Sequence, residues 1–116
     1  MSLFRRNCGV PNPLRRSENI MMRLEFVAHA KDRLRERLIS VEEVMGVLGN
    51  PTATYLDVVT GHFIALGVRA LRRGQWLIVV YEVRDDVRRI ISVLDTARAE
   101  EIAEGREARA RWLKVK

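Results

Sequence analysis

The sequence predicts a small α+β domain with two N-terminal helices, an antiparallel sheet of three to four strands, a short strand ahead of the helices, and a long C-terminal helix. Three observations carry that expectation. From His62 to Leu94 the chain holds three apolar runs joined by links so short that neighbouring strands must run antiparallel. Residues 29–48 place apolar side chains at helical spacing. After Asp95-Thr96 the chain is rich in Ala, Glu and Arg through Leu113 and has no proline.

The 116 residues are 47% hydrophobic and 31% charged, the size and balance of a folded domain with its own core. Residues 1–21 carry four arginines and one glutamate, 4 − 1 = +3, and show neither helical nor strand periodicity. They read as a flexible basic arm preceding a single domain over residues 22–116. Two explanations stand for the arm. It is a phosphate-binding tail, or it lies upstream of a start at Met21 or Met22; the lack of interleaved aromatics favours the second.

Within the domain, Leu24, Phe26 and Ala28 alternate with Arg23, Glu25 and Val27, which predicts a short strand near residues 22–27. Ala30, Leu34 and Leu38 recur every fourth position and predict a helix over His29 to Leu38. Ser40 and Glu43 have capping-box spacing, and Val44, Val47 and Leu48 supply the buried side of a second helix ending at Gly49, where Asn50-Pro51 stops it. Strands follow over residues 54–59, 62–71, 75–83 and 87–94, with Thr60-Gly61, Arg72-Arg73-Gly74 and Arg84-Asp85-Asp86 as turns. In the final helix Gly105 is a weak point, costing about 1 kcal/mol relative to alanine.

Net charge is +6 and the isoelectric point about 10.4, so polyanions are the expected partners. A single cysteine, Cys8, gives no intrachain disulfide and fits a reducing compartment. No apolar run approaches bilayer length, and a cytoplasmic protein without a membrane partner is expected. The two histidines are far apart in sequence, and no P-loop, dinucleotide fingerprint or nucleophile elbow is present. Neither a metal nor a cofactor is therefore expected.

The residues that suit chemistry are few. His29, Arg33 and Arg37 fall at i, i+4 and i+8, one edge of the first helix, where an imidazole between guanidiniums suits a phosphodiester. The competing reading is a solvated helix face. Arg69 and Arg89 interrupt apolar strands and must reach an ion pair, solvent or an anionic ligand. Tyr81 places a phenol on the inner strand, where it serves either packing or proton transfer.

Phe26-Val27-Ala28-His29-Ala30, then Arg33, Arg37 and Ile39-Ser40, and then a helix ending in Asn50-Pro51, resemble the DUF4258 pattern. Trp76-Leu77-Ile78-Val79-Val80-Tyr81 and Arg89-Ile90-Ile91-Ser92 resemble the BrnT group of toxins. Both resemblances point toward the RelE/ParE-like superfamily and span roughly residues 24–103. They imply a RelE/ParE-like fold and a toxin-like component of a toxin–antitoxin pair. Its partners would be RNA, free or on the ribosome, and a cognate antitoxin; a homo-oligomer is left open. The expected activity is metal-independent endoribonuclease cleavage of mRNA. Arg33, Arg37 and Arg69 would bind phosphate, Arg89 would stabilise the transition state, and His29 or Tyr81 would move protons. The alternative is a non-catalytic module on the same fold that binds nucleic acid or protein.

Overall fold

A computed structural model describes residues 23–116. The basic arm expected over residues 1–21 lies outside the described residues. The elements in chain order are β1 (Arg23–Phe26), α1 (Ala28–Glu36), α2 (Val41–Gly49), β2 (Ala53–Asp57), β3 (Phe63–Val68), β4 (Trp76–Arg84), β5 (Val87–Thr96), α3 (Ala99–Ala108) and β6 (Trp112–Lys114). They form one six-stranded sheet in the order β1-β5-β4-β3-β2-β6.

This corrects the expected architecture. Overall the domain is α+β, but its sheet is six-stranded and mixed rather than an antiparallel sheet of three to four strands: β1 runs parallel to β5, from Arg23 opposite Val87 to Phe26 opposite Ile90. The long C-terminal helix is instead the ten-residue α3, and the chain then returns to the sheet as β6 beside β2. The helices keep the expected order, two before the main strands and one after; the number and direction of the strands and the length of the last helix are what differ. The helices lie on both faces of the sheet. Ala30, Val44, Val47 and Leu48 from α1 and α2 pack on Ala65, Leu77, Val79, Ile90 and Val93. Ala99 and Ala103 of α3 pack on the other face, against Tyr55, Ile64, Leu66, Ile78 and Trp112.

Local chemistry explains most boundaries. The Ser40 hydroxyl accepts from the Glu43 amide and the Glu43 carboxylate accepts from the Ser40 amide, both at 3.0 Å, closing the capping box of α2. Gly67 lets α2 lie directly on β3, since a Cβ there would sit 3.0 Å from a Val47 methyl. Two helices stop without glycine. After α1, the Ile39 amide donates to the Leu34 carbonyl and the Leu38 amide to that of Arg35; after α3, the amides of Arg111 and Ala110 donate to the carbonyls of Arg106 and Glu107. Both are Schellman endings, with Leu38 (φ 54°) and Ala110 (φ 56°) in the left-handed region. That geometry ends α3 where composition alone predicts it to continue.

A buried charge cluster joins one end of the sheet to the helices. The Arg69 guanidinium, with its side chain 2% exposed, donates from Nε and Nη2 to the Glu43 carboxylate, each at 2.9 Å. It also donates from Nη1 to Asp95 at 3.1 Å and from Nη2 to the Leu38 carbonyl at 3.0 Å. Gln75 donates to the second oxygen of Asp95 at 2.7 Å. The hydrogen bond from Arg69 holds the Glu43 carboxyl below its ordinary value of 4.5, against the opposing effect of burial.

Two outcomes follow. Because the folded-state pKa of Glu43 is depressed, its contribution to stability is fully present above about pH 4.5 and is lost as the pH falls through the lower folded value. Arg69→Ala strands two buried carboxylates and should destabilise the domain by about 3–5 kcal/mol in urea unfolding near neutrality, with the gap to wild type narrowing in acid. Ala110→Gly relieves a left-handed alanine and should stabilise by about 0.5–1 kcal/mol in the same assay.

Candidate nucleic-acid interface

β-Sheet alternation decides which side chains share a face, and one irregularity in β5 resets it. Val79 pairs with Val93 and Val80 with Ser92, but Tyr81 pairs with Ile90, so Ile91 is an extra residue in the ladder. Below this bulge the faces exchange. Ile90 and Arg88 join Tyr81 on the α1/α2 side, and Arg89 turns to the α3 side, where its guanidinium lies 3.6 Å from the Glu82 carboxylate.

On the α1/α2 side, beyond the end of α2, the sheet is left partly uncovered. Here a cleft of about 380 Å³ opens, lined among others by Thr54, Phe63, Tyr81, Val83, Arg88 and Lys116. Phe63 and Tyr81 are cross-strand partners whose rings stack with centroids 5.7 Å apart and planes 26° from parallel. The Arg88 guanidinium carbon sits 5.7 Å from the Tyr81 ring centroid, a cation–π arrangement. Burial raises the Tyr81 phenol above its ordinary value of 10.0, with the Arg88 charge opposing that shift. The phenol is therefore protonated at neutral pH, a hydrogen-bond donor rather than a base.

The other expected site residues are dispersed. His29 is exposed on α1, Arg33 is half-buried on the same helix, and Arg37 is exposed at its C-cap; none of the three lines the Tyr81 cleft. Four of the N–H groups of Arg69 are taken by Glu43, Asp95 and Leu38 inside the protein. Arg89 is separated from Tyr81 by the thickness of the sheet. Arg88, which sequence reasoning missed, stands where Arg89 was expected. The signal was available in Ile90-Ile91, an apolar doublet that breaks strict alternation inside a strand.

Among the described residues no helix is long and apolar enough to cross a membrane, and no three His, Cys, Asp or Glu side chains cluster as metal ligands. The fold and cleft describe a basic, three-layer α+β domain with an aromatic-floored, cation-bearing surface. The chain belongs to DUF4258, a family described as a domain of unknown function, whose pattern matches residues 26–95. That span runs from the end of β1 to the Asp95 that holds Arg69, and it contains Phe63, Tyr81 and Arg88. No curated protein and no solved structure matches the chain.

Tyr55 is also held above 10.0, first by burial and then by Glu107, Glu104 and Glu100. Spectrophotometric titration should accordingly find tyrosinate forming later than in free tyrosine. Arg88→Ala should push the Tyr81 component higher still, whereas an unchanged curve would separate the two side chains.

Proposed function

We propose that this domain binds single-stranded RNA in the Tyr81–Arg88 cleft and acts as a toxin-like component of a toxin–antitoxin pair. The observation that carries RNA binding is the stacked Phe63–Tyr81 pair beneath a guanidinium, with Lys116 also lining the cleft, in a chain of net charge +6. Aromatic faces and side chains suit bases, while Arg and Lys suit the phosphates between them. The toxin role is supported by the likeness of Trp76–Tyr81 and Arg89–Ser92 to the BrnT group, and with it comes a cognate antitoxin as the expected partner.

Metal-independent cleavage requires a base to take the 2′-OH proton and an acid for the leaving oxygen. Tyr81 suits the acid. Among the described residues that line the cleft there is no histidine or carboxylate to serve as the base, and His29 stands elsewhere on α1. That observation favours the second reading, binding without cleavage, over an endoribonuclease.

The experiment is fluorescence anisotropy of a labelled single-stranded oligoribonucleotide across a salt series, with the reaction products run on a gel. Arg88→Ala should weaken binding roughly tenfold, about 1.4 kcal/mol, and lower the salt slope by about 0.7. Arg89→Ala should leave both unchanged, and the oligonucleotide should remain intact. Equal losses in the two variants, or none in either, would be inconsistent with RNA in this cleft.

A further inference from the structure

The sheet ends at β6, and among the described residues no strand lies beyond it. In its pairing with β2, the Val58 amide donates to the Arg111 carbonyl at 3.0 Å, Leu113 stands opposite Leu56, and the Val115 amide donates to the Thr54 carbonyl at 2.8 Å. Antiparallel alternation therefore points the backbone N–H and C=O groups of Trp112 and Lys114 outward, away from β2. Both faces flanking this edge are distinctive. Trp112 turns into the core beneath α3, while Leu113 and Val115 project on the side α1 and α2 cover elsewhere, and stay 52% and 54% exposed. Val59, in the turn after β2, is 69% exposed.

Charge selects what such an edge would take. Residues 106–116 hold five cations (Arg106, Arg109, Arg111, Lys114 and Lys116) against the single acid Glu107, and with Arg111 paired to Asp57 at 3.1 Å the segment and its partner carry 5 − 2 = +3. A second copy placed edge to edge would bring two such segments together, and their like charges would oppose pairing. An acidic strand meets complementary charge instead. The geometry points to β6 as the acceptor of an extended acidic peptide from a protein partner, added as a seventh strand. Its apolar side chains lie beside Leu113 and Val115, and its alternate carboxylates lie on the Lys114 side. The surface adjoins the RNA cleft, which Val115 and Lys116 also line, but the outward backbone groups of Trp112 and Lys114 that carry it are not among that cleft's lining residues.

The test uses the full chain and a labelled peptide of alternating valine and glutamate, followed by anisotropy and amide hydrogen exchange. The expected result is saturable binding that slows exchange at Trp112 and Lys114. Lys114→Pro removes an outward N–H while leaving the β2 ladder bonds at Arg111 and Val115 in place, so it should weaken binding roughly tenfold. Lys114→Glu provides a second variant independent of backbone geometry. It should reverse the preference, so that a valine–lysine peptide binds better than the valine–glutamate one. Failure of the acidic peptide to bind, binding without protection of Trp112 and Lys114, or an unchanged preference in Lys114→Glu would each overturn the proposal.

Discussion

Through one side chain, Arg69 ties three separate segments of the chain to the end of β3. It reaches Glu43 and Asp95, each 26 residues away in sequence, and Leu38, 31 residues away. Glu43 is used twice, capping α2 through Ser40 and pairing with the guanidinium. The carbonyl of Leu38 is held by the same guanidinium, and this fixes the tight left-handed turn between the helices. An ion cluster this deep is weak evidence of net stabilisation, because desolvation offsets the Coulomb attraction. Its physical effect is directional: it allows one way for the α1–α2 pair to sit on the sheet.

That placement shapes the surface at the opposite end. Arg69 follows the last residue of β3 and Phe63 is its first, a separation of about 20 Å along the strand. α2 starts at the charge cluster and ends near Leu48 and Gly49, which line the cleft. Beyond that point the helices do not cover the sheet. The aromatic pair and Arg88 line an opening, and Arg69 is buried among Glu43, Asp95 and the Leu38 carbonyl.

The capping box of α2, the Asn50-Pro51 stop and the three antiparallel strands β3, β4 and β5 were legible because each is set by neighbours in the chain. The rest depended on distant contacts or on a single backbone step. β1 is short and pairs with a strand more than sixty residues later, so its parallel direction has no local signal. α3 ends at a Schellman turn built on alanine, where glycine is the usual marker. The candidate site was displaced by one residue through one cause. Strict alternation back from Val93 puts Arg89 beside Tyr81, and the bulge at Ile91 puts Arg88 there instead. Arg69 is ambiguous in sequence for another reason: a buried arginine serves ion pairs or ligands equally well, and Glu43 and Asp95 become its neighbours only after folding.

A buried cluster orients the helices, their length leaves one corner of the sheet open, and a bulge turns a guanidinium into it. The central claim is that this corner, rather than the His29–Arg33–Arg37 edge of α1, meets RNA. NMR titration of the ¹⁵N-labelled chain with a single-stranded oligoribonucleotide addresses it most directly. The account predicts saturable shifts centred on Phe63, Tyr81, Arg88 and Lys116. Shifts confined to residues 29–37, with those four silent, would contradict it.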